Sequence, residues 1–146
     1  MKTLIVYDSV HGNTERIAKA IGDAIAGEVE VLRAGQVSAS ELETLDLLIV
    51  GSPTHGGKAT EAIQDFLERA PVSALEGTTV AAFDTRLNRD FDSYAAPRIA
   101  DTLKEKGGSL IGSPEGFFVE GMEGPLNEGE IERAAGWAKE IVESKE

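Results

Sequence analysis

No cysteine occurs anywhere in the 146 residues, which excludes disulfides, thiolate metal sites and thiol nucleophiles. No apolar run approaches the roughly 20 residues that a membrane-spanning helix requires. Basic residues are outnumbered: 14 Lys and Arg against 26 Asp and Glu leave a formal charge of −12, which repels the phosphates of a nucleic acid. The same charge would steer a partner that carries a basic patch, and it also serves solubility. Met1-Lys2 runs into a short apolar stretch broken by Asp8, too short for a secretory signal, so a cytoplasmic protein is expected. Three motifs are missing as well. No Gly-x-Gly-x-x-Gly follows the first apolar stretch, which argues against a dinucleotide there, and no Gly-Lys-Ser/Thr ends that loop, which argues against ATP or GTP. There is no Gly-x-Ser-x-Gly elbow of a serine hydrolase, and His11 and His55 lack a defined carboxylate partner for a metal site.

What is present is an alternation of strand and helix patterns. Leu4-Ile5-Val6-Tyr7, Val29-Glu30-Val31-Leu32, Leu47-Leu48-Ile49-Val50 and Thr79-Val80-Ala81-Ala82-Phe83 read as strands. The second alternates, as at an edge, whereas the third is uninterrupted, as in a strand covered on both faces. Ser109-Leu110-Ile111 and Phe117-Phe118-Val119, separated by Gly112-Ser113-Pro114, make a last strand region. Between them, a helix from about Asn13 to Ala26 stops at Gly27, and a short helix follows the capping-box pattern Ser40-Glu41-Leu42-Glu43. A third begins at Thr60 and carries Ile63, Phe66 and Leu67, with Pro71 closing it. A fourth starts near Ser93, holds Pro97 in its first turn and ends at Gly107-Gly108. Asn127 with Glu130 caps a final helix whose stripe is Ile131, Ala134, Ala135, Ala138, Ile141 and Val142, with Trp137 packing beside it.

Five such alternations predict an α/β fold in which residues 1–146 form one domain, a doubly wound five-stranded parallel sheet with helices on both faces. In such sheets ligands bind beyond the carboxyl ends of the strands, where the winding reverses. That rule selects the loops after the first, third and fourth strands, which are the polar or Gly-rich loops of this chain. The first, Ser9-Val10-His11-Gly12-Asn13-Thr14, turns from strand to helix, where backbone N–H groups lack partners and the helix dipole adds positive charge. Gly12 admits a ligand closely, and Ser9, Asn13 and Thr14 are short donors. Together they suit a terminal phosphate held without lysine. The same residues are also ordinary N-caps and turn formers, so the six alone leave both readings open.

Ser9-x-His11-Gly12-Asn13-Thr14 after the first strand, with Gly51-Ser52-Pro53-Thr54-His55-Gly56-Gly57 after the third, resembles the flavodoxin family, in its short-chain form. The resemblance spans essentially the whole chain. It implies strand order 2-1-3-4-5 and one non-covalently bound FMN at the switch point. By position, Ser9, His11, Gly12, Asn13 and Thr14 would hold the FMN phosphate. Pro53, Thr54, His55, Gly56 and Gly57 would face the flavin ring, and Asp84, Thr85 and Arg86 would meet its pyrimidine side. Gly56-Gly57 suits a peptide that turns a carbonyl toward flavin N5 after one-electron reduction, because glycine reaches both conformations cheaply. His55 stands where members of the family often place an aromatic residue, and Phe91 is the expected outer stacking partner, with Tyr94 the other candidate. Arg86 near N1 and the C2 carbonyl would favour the fully reduced anion; alternatively, Arg86 and Arg89 pair with Asp90 or Asp92.

Three function classes remain open. The expected one is an electron carrier working between redox protein partners with basic docking surfaces, as a monomer or weak dimer. The others are an FMN-dependent oxidoreductase, such as a quinone reductase or a protoporphyrinogen-oxidising enzyme, and a flavin-free interaction module of the same fold.

Overall fold

Leu47-Leu48-Ile49-Val50 offers no polar side for water to wet. In the computed structural model, which describes residues 1–89 and 93–145, it lies in the middle of the sheet. All seven residues of β3 (Leu47–Pro53) are buried. On one side β3 pairs in parallel with β1 (Lys2–Tyr7), which pairs with β2 (Glu28–Arg33); on the other it pairs with β4 (Thr79–Leu87). The order is β2-β1-β3-β4-β5, as the resemblance implied. The alternating β2 forms an edge, its burial switching from residue to residue.

The expected fifth strand is two segments. β5 (Ser109–Leu110) pairs with Thr79 and Val80, whereas β6 (Glu115–Val119) pairs with residues Phe83 to Leu87, both along the same edge of β4. The interruption at Gly112-Ser113-Pro114 thus divides one sheet position between two segments.

Two other expectations change. β3 continues through Pro53 and β4 through Leu87, so Gly51 to Pro53 and Asp84 to Arg86 lie in strands rather than loops. The reason is long-range pairing: Ser52 is matched to Asp84, Pro53 to Thr85, and β6 supports the far end of β4. The capping box falls two residues early: the Ser38 N–H donates to Glu41 Oε1 at 3.0 Å, opening a 3-10 helix over Ala39–Leu42.

Helices α1 (Asn13–Ala24) and α4 (Glu130–Lys145) cover one face, burying Ile17, Ile21, Ala134, Trp137 and Ile141 against Ile5, Ile49 and Phe83. Phe83, Phe117 and Trp137 meet edge to face, with ring centroids 5.9–6.1 Å apart. Helices α2 (Glu61–Arg69) and α3 (Ala95–Glu105) cover the other face, with Ile63, Phe66, Ile99 and Leu103 against Leu4, Val6, Leu48 and Val50. Pro97 falls in the first turn of α3, where its missing N–H is harmless. Each fully buried Leu or Ile contributes about 1.5–3 kcal/mol, so these two layers hold the strand ends in fixed relation. α4 begins at Glu130 without the expected Asn127 box, because the Glu130 carboxylate turns to the Phe118 N–H and to Arg133. No described helix is long and apolar enough to cross a membrane.

Candidate functional site

The carboxyl ends of β1, β3 and β4 open into a cavity of about 430 Å³, within the range usual for small-molecule sites. Of the residues singled out in the sequence, Ser9, His11, Asn13, Thr14, Pro53, Thr54, His55, Gly56, Gly57, Thr85 and Arg86 line it. Gly12 supports the first loop from its bend, and Asp84 is buried behind Arg86. Phe91 lies outside the described residues, as do Asp90 and Asp92. Val10, Leu87, Arg89, Ser93, Val119 and Met122 complete the wall. Of these, Val119 ends β6 and Met122 lies just beyond it, in a stretch with no ligand motif of its own.

The first loop is built around one hydroxyl. Ser9 Oγ accepts the N–H groups of Gly12 at 3.1 Å and Glu15 at 3.3 Å, so it caps α1 with its proton still available to donate. Gly12, with φ of +90°, makes the bend that starts the helix. Among the described residues, the N–H groups of Asn13 and Thr14 have no partner, so they face the cavity end of α1 as unspent donors. Thr14 Oγ1 and Thr85 Oγ1, both buried, are 2.8 Å apart and tie the loop to β4. Asn13 Nδ2 donates to the Glu123 carbonyl at 3.3 Å, drawing in the segment that carries Met122.

A charged layer backs this loop. Arg33 donates to the Ser9 carbonyl at 3.2 Å and offsets Asp8 at 3.6 Å and Glu15 at 3.3 Å. The Tyr7 hydroxyl donates to Glu15 at 2.6 Å. That bond, ahead of the smaller effects of Lys19 and Arg33, holds the Glu15 carboxyl below its usual range. Burial, and then the same bond, pushes the Tyr7 phenol up.

The second segment is a two-residue hairpin. His55 and Lys58 exchange N–H···O=C bonds of 2.9 and 3.1 Å, and Gly56 and Gly57 take φ of +58° and +78° between them. Two consecutive left-handed residues are what a tight turn of this hand demands, which accounts for the glycine pair. The Ser93 hydroxyl donates to the Gly57 carbonyl at 2.9 Å, and Ala95 N–H donates to Thr54 Oγ1 at 3.1 Å. The start of α3 therefore holds the turn in place.

The third segment carries a buried ion pair. Arg86 Nε and Nη2 each approach an Asp84 oxygen at 2.7 Å, and Ala96 N–H donates to the same carboxylate at 2.9 Å. Arg86 thus pairs within β4, with the residue two positions before it. Its guanidinium lies over the Tyr94 ring, 3.7 Å from the centroid, and the Tyr94 hydroxyl donates to the Arg89 carbonyl at 2.6 Å.

Unspent amides and small hydroxyls at the start of α1, together with the apolar side chains of Val10, Pro53, Leu87, Val119 and Met122 among the lining residues, suit a ligand with an anionic terminus and a flat ring system. Comparison with known proteins agrees. Residues 4–121 match the sequence model of the flavodoxin domain family. The chain is 28% identical to Flavodoxin 1 of Escherichia coli over 163 residues, covering 97% of this chain and 93% of that protein. Among solved structures, it is similar to oxidised Flavodoxin 2 from Bacillus cereus, with a TM-score of 0.82, 29% identity and 99% of each chain covered. It shares its fold with a flavodoxin from the domain Archaea at a TM-score of 0.84, 24% identity and 99% coverage of each chain.

Proposed function

This chain belongs to the flavodoxin family, and we propose that it binds one FMN and carries electrons, singly or in pairs, between redox protein partners. The observation that carries this is the cavity where three strand ends meet, with the partnerless Asn13 and Thr14 amides at the start of α1. Ser9, His11, Gly12, Asn13 and Thr14 would hold the phosphate. Pro53 to Gly57 would lie along the ring, and Thr85 and Arg86 would meet its pyrimidine side with Asp84 behind. Bound FMN supplies a reversible two-electron couple. The protein supplies the grip, the exclusion of water and the local charge.

Electron transfer to a protein needs an accessible edge with a docking surface around it. Val10 and Met122 are 56% and 57% exposed, and both stand at the cavity. Glu120 and Glu123, next to Met122 in the chain, are exposed. An apolar rim with acidic neighbours on a chain of formal charge −12 fits a partner whose contact face is basic. The chain as one domain, cytoplasmic and a monomer or weak dimer, completes the reading.

Anaerobic reductive titration of the protein mixed with FMN, with calorimetry of the binding, tests this. Tight 1:1 binding of FMN, and reduction that needs a separate reductase, are expected. A colourless protein that ignores FMN would point to the flavin-free module. Rapid bleaching by NADH or NADPH alone would instead identify an oxidoreductase.

A further inference from the structure

The pair formed by Asp84 and Arg86 is more elaborate than a surface ion pair. The Asp84 side chain is fully buried, at 0% exposed, and that of Arg86 is 16% exposed. Two parallel N–H···O contacts of 2.7 Å lock the planar groups edge to edge, and the Ala96 N–H takes a further place on the carboxylate. Tyr94 covers one face of the guanidinium, and Gly116 leaves the room it occupies, since a Cβ there would overlap it. A long side chain fixed by Asp84, Tyr94 and the space at Gly116 is held for its position. That position is the cavity wall, with Thr85 and Leu87 beside it.

We propose that this pair sets the relative affinity of the site for oxidised and fully reduced FMN, with Arg86 as counter-charge to the reduced ring and Asp84 as the residue that positions it. The inference rests on FMN being the ligand. Two electrons from a redox partner and one proton from water convert the neutral ring to one bearing a single negative charge, FMN + 2e⁻ + H⁺ → FMNH⁻. A cation at the wall favours that product and an anion disfavours it. Arg86 is among the residues that line the cavity and Asp84 is not, so the cation is taken as the nearer of two opposed charges. Removing Arg86 alone would leave a buried, uncompensated carboxylate next to the site.

The test uses the full chain as wild type, Arg86→Met, Arg86→Lys, Asp84→Asn and the Asp84→Asn/Arg86→Met double variant. Calorimetry gives the Kd of oxidised FMN, spectroelectrochemistry gives the two-electron midpoint, and circular dichroism of the apoproteins checks folding. Arg86→Met is expected to weaken the fully reduced form at least tenfold relative to the oxidised form, read as a more negative midpoint. Asp84→Asn shifts it the other way, Arg86→Lys stays near wild type, and the double variant recovers most of the loss. Equal weakening of both redox forms by Arg86→Met, or no recovery in the double variant, would overturn the proposal. Should Arg86→Met fail to fold, an unmoved midpoint in Asp84→Asn overturns it alone. A wild type that does not bind FMN would count against the flavin assignment instead.

Discussion

Glu130 shows how one carboxylate holds a strand to a helix. It is only 7% exposed, and its oxygens accept the Phe118 N–H at 2.7 Å and Arg133 Nε and Nη2 at 2.9 and 2.7 Å. Arg133 reaches on to Glu115 and the Gly116 carbonyl, both at 2.5 Å, and covers the Phe117 ring. The Arg133 bond first, and then the Phe118 amide, holds the Glu130 carboxyl below its ordinary range, against the opposing effect of burial. A carboxyl whose pKa is lower folded than unfolded contributes its full stabilisation above the unfolded value. It loses that contribution as pH falls through the folded one. Glu130→Gln is therefore expected to destabilise the apoprotein by about 1–3 kcal/mol at pH 7. The gap between variant and wild type should narrow as pH falls from about 5 toward 3, given an unfolded Glu pKa of about 4.3. Urea denaturation at a series of pH values measures both; a gap that stays constant across that range would deny the linkage. Because Gly116 adjoins this cluster and makes room for Arg86, loosening β6 here also threatens the cavity wall.

Among elements, α1 shows a structural and a binding role in one residue. Ser9 Oγ caps the helix through Gly12 and Glu15, so Ser9→Ala should lower apoprotein stability by about 0.5–2 kcal/mol. It should also weaken FMN binding beyond what lost stability explains, since the same hydroxyl keeps a proton to donate. Thermal denaturation of the apoprotein, with FMN calorimetry in parallel, separates the two effects, and Ser9→Thr should preserve most of both. An Ala variant that loses stability but binds FMN normally would reduce Ser9 to a cap. This loop was legible in the sequence because turn chemistry is local: Ser, Gly, Asn and Thr act within a few residues. The buried run of β3 and the alternation of β2 were legible for the same reason, since burial on two faces or one leaves its mark residue by residue. The far ends of β3 and β4 were not. Gly51, Pro53 and Arg86 carry turn-like or polar character, and only pairing between distant residues, such as Ser52 with Asp84, keeps them extended. Gly51 is itself a packing requirement, since a Cβ there would overlap the Phe83 ring. The partner of Arg86 was hidden for a related reason. Residues two apart share a face only once the segment is known to be a strand, and a loop assignment concealed that Asp84 and Arg86 point the same way.

At the scale of the whole molecule, charge is the dominant feature. With 26 acidic and 14 basic residues, the chain carries a formal charge of −12, and under the proposed function that charge steers a basic partner. Under the same proposal, the exposed Val10 and Met122, with exposed Glu120 and Glu123 next to the latter in the chain, are where that field would act. Screening makes the idea testable, because the Debye length falls from about 30 Å at 0.01 M salt to about 8 Å at 0.15 M. Stopped-flow oxidation of the FMN-loaded, reduced protein by a basic cytochrome should therefore slow at least tenfold over that interval. Oxidation by a small uncharged quinone should barely change. Neutralising the rim with Glu120→Gln and Glu123→Gln together should flatten the salt dependence for the cytochrome and leave the quinone rate alone, since these side chains act on the encounter and not on the flavin. If the double variant keeps the wild-type salt slope, the acidic field comes from elsewhere on the surface and the partner docks away from Met122. If the quinone rate falls in step with the cytochrome rate, salt is acting on the cofactor site itself, and the rim has no special part in recognition.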